Sequence, residues 1–213
     1  MKALGLIEVY SFTMAVCVAD IAAKAADVKV IAMDRNRPTT KTAPAPLVMV
    51  VKIEGSVSAV RAAVDAGVAF AKDKNMYIVS HVIPNPGESV DKMAYLMDIN
   101  RDKYSKNMPK SYLNAEIPEI QPHGAYGILE VQGLVPSIEG LDAMLKTAEV
   151  RLIHTEKRLG GGGSVTMMVT GSVSAVKAAV EAGKQTALSL GKVFGAEVIA
   201  SPHDEIAKFF SVG

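Results

Sequence analysis

The sequence contains no tryptophan and only one cysteine, Cys17, among its 213 residues. A single thiol cannot form a disulfide within the chain, and it cannot build a cysteine-ligated metal site. A chain without disulfides is typical of a reducing compartment, so we expect a cytoplasmic protein. Aromatic residues make up only 5% of the chain. That scarcity argues against a surface that stacks the bases of single-stranded nucleic acid.

Excess charge of either sign is also missing, because the formal net charge is +1. A nearly neutral chain has no overall field that would attract nucleic acid or anionic lipid. Uncharged runs long enough to cross a bilayer are absent, so we expect no membrane partner. The N-terminal segment has some likeness to a signal peptide, but Glu8 and Asp20 interrupt it, and its pattern recurs as AYGILEV from Ala125. A segment that is used twice is more typical of a domain start than of a targeting signal.

An internal repeat is the most prominent feature that the chain does have. GSVSAVRAAVDAG from Gly55 and GSVSAVKAAVEAG from Gly171 differ only where arginine replaces lysine and aspartate replaces glutamate. Around them, ALGLIEV matches AYGILEV, and LVMVVKIEG matches SVTMMVTG, in the same order. Such self-similarity indicates that one structural unit occurs twice. We therefore predict a tandem duplication without internal permutation.

Each copy has the pattern strand, helix, strand, strand, helix, strand, with a short acidic-capped helix behind it. This order is the ferredoxin-like arrangement of an α+β fold, in which an antiparallel sheet carries its helices on one face. The predicted elements are strands at 3–9, 28–33, 47–53 and 76–83 and at 125–131, 150–155, 165–170 and 196–200, with first helices near 13–26 and 136–148. The repeated GSVSAV segment begins the second helix of each copy.

The repeated helix shows both a cap and an amphipathic pattern. Ser56 and Ser172 are predicted N-caps, because a serine hydroxyl accepts a hydrogen bond from a free N–H at the start of a helix. Lys177 and Glu181 lie four residues apart on the polar face. The apolar positions recur every three or four residues and predict one buried face: Val173, Val176, Val180, Gly183, Ala187 and Leu190.

The boundaries follow from where the periodicity breaks. Residues 98–122 contain three prolines and many polar side chains, which is typical of a linker. We predict domains at 1–97 and 123–213 joined by this linker. The copies disagree between the second and third strands, where DRNRPTTKTAPAP at 34–46 stands opposite EKRLGGGG at 156–163. Loops are where function varies on a rigid framework.

These motifs, in this order and twice in one chain, resemble the bacterial microcompartment shell domain, the BMC domain. The resemblance rests on ALGLIEV, an alanine-rich helix that ends in lysine, VKVI, the GSVSAV helix and VIPNP, and it covers the chain outside the linker. It implies a homotrimer that looks like a hexamer, forming a tile with a central pore for small metabolites. Such tiles pack edge to edge with other shell proteins around encapsulated enzymes. The unpermuted order is similar to that of the propanediol-utilisation type of tandem shell protein.

The resemblance also implies residues at the tile edge. The edge lysine of the family corresponds to Lys24 and Lys146. Each could instead be a solvated lysine at a helix C-terminus, but the recurrence at the same place in both copies favours the edge role. The family usually has an arginine after the last strand, and Asn85 and Ser201 stand there instead. We expect a weaker or differently bonded edge, so assembly into pure layers and mixed assembly with other shell proteins both remain open.

The pore loops implied by the resemblance are the loops in which the two copies disagree. In one interpretation they form a basic ring that favours anionic metabolites. In the other, the basic side chains point outward and only backbone lines the hole. The candidate residues are Arg35, Asn36, Arg37 and Lys41 in the first copy, and Lys157, Arg158, Leu159, Gly160, Gly161, Gly162 and Gly163 in the second.

Groups that would support catalysis or a cofactor are missing from the pattern. The propanediol-utilisation type holds an iron–sulfur cluster on a pore-loop cysteine, but neither loop contains cysteine, so we predict no cluster. His81, His123, His154 and His203 make no metal-binding spacing with other ligands, and no catalytic constellation is present. We therefore predict a structural protein and not an enzyme. The alternative is a ferredoxin-like regulatory protein that binds a small molecule at a subunit interface.

Overall fold

The structure is a computed structural model that describes residues 2–38, 42–87, 124–157 and 163–210, together with positions 90, 94 and 99. The first repeat contains β1 (Ala3–Tyr10), α1 (Phe12–Ala25), β2 (Val28–Asn36), β3 (Val48–Gly55), α2 (Val57–Asp73) and β4 (Tyr77–Ile83). The second contains β5 (Ala125–Gln132), α3 (Leu134–Thr147), β6 (Val150–Lys157), β7 (Ser164–Gly171), α4 (Val173–Leu190), β8 (Val193–Ile199) and α5 (Asp204–Phe210).

Each repeat forms a four-stranded antiparallel sheet, with the strand orders β2-β3-β1-β4 and β6-β7-β5-β8. This topology confirms the predicted ferredoxin-like fold. Two matched glycines show how closely the second helix packs on each sheet. A Cβ atom at Gly5 would lie 2.8 Å from the Val60 side chain, and one at Gly127 would lie 2.7 Å from that of Val176. Glycine is needed at both positions because any side chain would displace the helix.

The strand registers show which residues of the two repeats correspond. Ala3 pairs with Gly55 in the first sheet, and Ala125 pairs with Gly171 in the second. Irregular pairings also fall at matched places, after Glu8 in β1 and after Glu130 in β5. Up to the second strand, matched residues are 122 positions apart, as Val28 and Val150 are, and from the third strand they are 116 apart, as Gly55 and Gly171 are. Each residue of the matched strands and helices therefore has a defined counterpart in the other repeat.

The helix predictions are confirmed in part. Ser56 and Ser172 are N-caps, since their hydroxyls accept hydrogen bonds of 3.2 Å from the backbone N–H groups of Ala59 and Ala175. The predicted face of α4 is right in its centre but wrong at its ends. Val173 and Leu190 are exposed, because these two residues lie at the first and last positions of the helix. Ala179 is buried, although the predicted face did not include it.

Strand β2 is longer than the sequence pattern predicts. It continues to Asn36, and its pairing with β3 includes Arg35 opposite Met49. The apolar alternation ends earlier than the hydrogen-bonded ladder does, which explains the difference. All of the predicted linker except Ile99 lies outside the described residues, so the boundaries at 97 and 123 remain predictions.

Helix α1 is packed on two sides. Its residues Phe12, Val16 and Ala19 are fully buried. The apolar core around this helix includes not only the first sheet but also residues of the second repeat: Tyr126, Ile128, Met168, Phe209 and Phe210. The outer face of the second sheet and α5 therefore cover the side of α1 that its own sheet does not. This contact between the repeats is called the domain junction below.

Candidate functional site

A buried carboxylate from the second repeat caps helix α1 at the domain junction. Glu130 is completely buried, and its Oε2 accepts hydrogen bonds from the backbone N–H and the hydroxyl of Thr13, at 3.1 and 3.2 Å. Burial raises the pKa of Glu130, while the hydrogen bonds from Thr13 and Ser11 act in the opposite direction. Free N–H groups and the helix dipole both favour a carboxylate at this end of a helix. Glu130 thus joins the first strand of one repeat to the first helix of the other.

A second carboxylate connects the other end of α1 to the junction. Asp20 is buried, and its Oδ1 accepts a 2.8 Å hydrogen bond from the backbone N–H of His203, just beyond β8. Its other oxygen pairs with the ammonium group of Lys24 at 2.5 Å. The predicted edge lysine Lys24 is therefore held by a carboxylate that also takes part in the domain junction.

Four aromatic rings pack together at the domain junction. His154 stacks on Phe12 with ring centroids 5.8 Å apart, and it meets the edge of Phe210 at 5.1 Å. The ring of Tyr126 meets the ring of Phe210 edge-on, with centroids 6.4 Å apart. Burial lowers the pKa of His154, and the positive charge of Arg35 lowers it further. The imidazole is therefore neutral near pH 7 and packs as an aromatic ring.

Two ion pairs complete the junction, and one of them involves a predicted pore residue. Arg35 lies on β2 and donates to Glu156 of β6 at 2.6 Å and to the carbonyl of Ile99 at 3.0 Å. Lys74 pairs with Glu197 of β8 at 2.8 Å, and this bond raises the pKa of Lys74. The charge of Arg35, one of the candidates for a basic ring at the pore, is thus paired with Glu156 at the junction.

The other predicted pore residues fall into three groups. Asn36 is the last residue of β2 and Arg37 follows it, and both are exposed. Lys157 ends β6, and Gly163 has a left-handed backbone with φ 54° and accepts a 2.7 Å hydrogen bond from the N–H of Gly133. The remaining candidates lie outside the described residues: Lys41, Arg158, Leu159, Gly160, Gly161 and Gly162. The structure therefore leaves the lining of a pore as a prediction.

The predicted edge residues are at the surface in both repeats. Lys146 pairs with Asp142 at 2.7 Å on the exposed side of α3. Asn85 and Ser201 are exposed and follow the last strands, β4 and β8. Their role at a tile edge is not decided by this chain alone, so it too remains a prediction.

The matched faces of α1 and α3 differ in exposure. Thr13 is 0% exposed, whereas its counterpart Val135 is 67% exposed. The same contrast separates Phe12, Val16 and Ala23, which are buried, from their counterparts Leu134, Ile138 and Leu145, which are exposed. The N-cap residue of α3 is Gly133, which has no side chain that could accept a hydrogen bond from the first turn. Helix α3 thus presents an apolar face and a helix start of the kind that the junction covers on α1.

The first sheet shows the complementary contrast. Glu8, the counterpart of the buried Glu130, is only half-buried. Val79, the counterpart of Gly195, is 51% exposed. Residues that are buried at the domain junction thus have matched counterparts on the first sheet and on α3 that are exposed or only half-buried.

The match to a family model decides the relationship. A model described as the BMC domain matches residues 3–86 and again residues 125–202. The chain belongs to the BMC domain family. The two matched segments coincide with the two ferredoxin-like repeats. The match therefore confirms the resemblance that the motifs of this tandem BMC protein indicated.

Named relatives of the BMC protein are shell and assembly proteins. The carboxysome assembly protein CcmO of Synechococcus elongatus is 33% identical over 96% of this chain and 67% of its own length. The carboxysome shell protein CsoS1C of Hydrogenovibrio crunogenus is 46% identical over 42% of this chain and 86% of its own. The shell protein PduA of Salmonella typhimurium is 44% identical over 42% of this chain and 93% of its own. The last two relatives thus align with about one BMC domain each.

One solved structure is similar in sequence over nearly the whole chain, but its overall geometry superposes poorly on this one. A microcompartment protein from Desulfitobacterium hafniense shares 27% identity with this BMC protein, over 97% of this chain and 98% of that one, at a TM-score of 0.38.

Within the described ranges, no three His, Cys, Asp or Glu side chains come close enough to hold a metal ion. None of the described helices combines the length and the apolar character that crossing a membrane requires. The predictions of no cluster and no catalytic activity are untested by these observations and remain predictions.

The junction residues were not identified from the sequence. Glu130 and Thr13 are 117 positions apart, so no local pattern connects them. The available signal was the recurrence of a carboxylate at matched places in otherwise apolar segments, as Glu8 with Glu130 and Asp20 with Asp142. A buried charge must be paired or hydrogen-bonded, and that requirement indicates an interface.

Proposed function

We propose that this chain is a structural shell protein of a bacterial microcompartment and that three copies form a ring of six BMC domains. One observation carries the proposal: the domain junction is complete on one side of each repeat and missing its partner on the other. An interface that joins two different surfaces of like units repeats from one unit to the next, and it closes when the rotation allows a ring. In such a ring, the junction within each chain alternates with an equivalent junction between chains.

The matched residues define what the second junction would contain. Within the chain, a Cβ atom at Gly195 would lie 2.7 Å from the Cβ of Thr13, so this glycine gives α1 room to approach β8. The counterparts are Val79 and Val135, which are both exposed. We expect these two valines to pack against each other between chains, where burying their apolar surface favours association. Because Val79 carries the Cβ that Gly195 lacks, β4 and α3 must lie farther apart there than β8 and α1 do.

Polar contacts of the second junction follow in the same way. Glu8 takes the place of Glu130 and would accept from the backbone N–H of the neighbouring chain's Val135, capping α3. Lys157 and Asp34 take the places of Arg35 and Glu156. Asp34 already accepts a 3.3 Å hydrogen bond from Lys52, so Lys157 would join an existing charge pair.

A central pore is the expected consequence of the ring, with the β2–β3 and β6–β7 connections around its axis. Arg37, Lys41 and Arg158 would give this pore its positive charge and a preference for anionic metabolites. Arg35 contributes little to that preference, because Glu156 neutralises it. The ring would act as a tile in the shell of a cytoplasmic microcompartment, beside other shell proteins and around encapsulated enzymes, without a catalytic role of its own.

The ring is tested by the mass of the native assembly. The chain has a mass of 22.5 kDa, so native mass spectrometry should give a species of three times that mass. Val135→Asp and Ile138→Asp place a charge on the exposed face of α3 and should reduce the assembly to single chains. Val173→Asp is the matched control, because Val173 is also an exposed apolar residue but lies at the start of α4.

A wild-type monomer or tetramer would contradict the ring. Loss of the trimer in the Val173 control to the same extent as in the α3 variants would show that the effect does not depend on the proposed face.

The anion preference is tested on crystals of the trimer soaked in selenate, whose selenium scatters anomalously. We expect a peak on the threefold axis that disappears when Arg37 and Arg158 are both replaced by serine. The matched control combines Arg35→Met with Glu156→Gln, which removes one charge of each sign and should leave the peak. A peak that survives in the double serine variant would remove the basic pore from the proposal.

A further inference from the structure

Asp20 uses its two carboxylate oxygens for two different purposes. Oδ1 accepts from the backbone N–H of His203 in the second repeat, and Oδ2 holds the ammonium group of Lys24 four residues later on α1. One side chain therefore joins the domain junction to a lysine that projects toward the surface. The Asp20 side chain is only 5% exposed, so water competes little for either bond.

Asp142 is the counterpart of Asp20 on α3, and it makes only half of this arrangement in the described chain. It pairs with Lys146 at 2.7 Å, with the two side chains 50% and 75% exposed. An ion pair so open to water restrains its lysine weakly. The counterpart of His203 is Gly87, an exposed residue beyond β4.

We propose that Asp142 accepts a hydrogen bond from the backbone N–H of Gly87 in a second copy of this chain, and that this contact positions Lys146. The inference rests on the proposed ring, because the contact between chains in that ring brings β4 of one chain to α3 of another. Docking of the second copy covers Asp142 as the second repeat covers Asp20. The carboxylate then has a fixed orientation, and the ammonium group of Lys146 is held on a shielded partner.

Lys146 is also one of the two predicted edge lysines, so the proposal connects two levels of assembly. A free chain would carry an ordered lysine at Lys24 and a loosely held one at Lys146. Closing the ring would order the second lysine and make both edges alike. Asp142 is in this sense a positioning residue, since it acts on the tile edge through Lys146.

Hydrogen exchange at Gly87 tests the first contact. In the trimer, the amide of Gly87 should exchange ~10-fold more slowly than in the Asp142→Ala variant, because one hydrogen bond corresponds to roughly that factor. Asp142→Asn keeps an acceptor oxygen and should keep the protection. The matched control is the completed junction, where Asp20→Ala should expose the amide of His203 whether or not trimers form.

The reactivity of Lys146 tests the positioning. Acetylation at low reagent concentration should modify Lys146 more slowly in the wild-type trimer than in the Asp142→Asn trimer, because the neutral amide cannot hold the ammonium group. Glu181→Gln, which removes an exposed carboxylate from α4, should leave the rate at Lys146 unchanged.

The outcomes separate this inference from the proposed ring. If wild-type chains give no trimer by native mass spectrometry, the ring itself is wrong. If trimers form but Gly87 is unprotected, or is equally protected in Asp142→Ala, the proposed hydrogen bond is wrong. If protection depends on Asp142 while Lys146 reacts at the same rate in wild type and Asp142→Asn, the positioning role is wrong.

Discussion

At the scale of single residues, the junction depends on Glu130, a carboxylate that is buried and yet hydrogen-bonded at a helix start. Its environment contains opposing effects, because burial raises the pKa and the donors from Thr13 and Ser11 lower it, with burial the larger influence. The folded chain therefore holds the Glu130 proton more tightly than the unfolded chain does. Such a difference makes stability depend on pH.

The pH dependence of unfolding should reveal this difference. As pH rises from the ordinary glutamate pKa toward the raised pKa of Glu130, the folded state retains a proton that the unfolded state has released. The contribution of Glu130 to the free energy of unfolding is then greatest at the acidic end of this window and falls as pH rises. Urea denaturation across the window should show this decline in wild type relative to Glu130→Gln. A constant difference between the two proteins would contradict it.

At the scale of elements, α1 and α3 show that matched segments can have different surroundings. The first helix, FTMAVCVADIAAKA, is apolar on nearly all sides, whereas LVPSIEGLDAMLKT carries charge and exposes Leu134 and Ile138. A helix that is hydrophobic all round is buried all round, which agrees with the enclosure of α1, although the prediction from the repeat treated the two helices alike. The order of elements was predictable because the repeat gave two samples of one pattern.

Other details of the elements could not be predicted from local pattern. Strand β2 continues through the polar residues Asp34–Asn36, because its ladder with β3 depends on backbone pairing and not on side-chain alternation. The contact of Arg35 with Glu156 spans 121 positions, and no periodicity encodes it. The pore and edge residues came from the family resemblance, and their geometry depends on neighbouring chains.

The caps of the repeated helices should contribute equally in both repeats. Ser56→Ala and Ser172→Ala each remove a hydroxyl that accepts from a backbone N–H at 3.2 Å, and each should lower the free energy of unfolding by about 1 kcal/mol. Ser189→Ala is the control, because this serine lies in the last turn of α4, far from the cap, and its hydroxyl donates to the carbonyl of Thr186. Chemical denaturation measures all three. A loss in Ser189→Ala as large as that in Ser172→Ala would contradict the capping role.

At the scale of the whole molecule, the junction joins the two BMC domains through side chains and not only through the covalent linker. Apolar packing of α1, the carboxylates of Glu130 and Asp20, and the pair of Lys74 with Glu197 all contribute to that contact. If the contact is sufficient, the predicted linker at 98–122 is needed to pair the domains during folding but not to hold the finished assembly together.

Cutting the linker tests this division of roles. A protease site introduced near residue 110 should be cleaved in the assembled protein, and the assembly should keep its full mass on native mass spectrometry. Denaturing electrophoresis confirms the cut. Separation of the two halves under native conditions would show that the junction alone is too weak to hold the domains.

The pairing of Thr13 with Gly195 also bears on how a shell protein can change. In a ring of six identical single-domain chains, one substitution alters all six contacts at once. Here a larger residue at position 195 would affect only the contact within each chain, while Val79 and Val135 would be unchanged. In the proposed ring, duplication thus halves the number of contacts that any one mutation changes, and it allows neighbouring contacts to diverge separately.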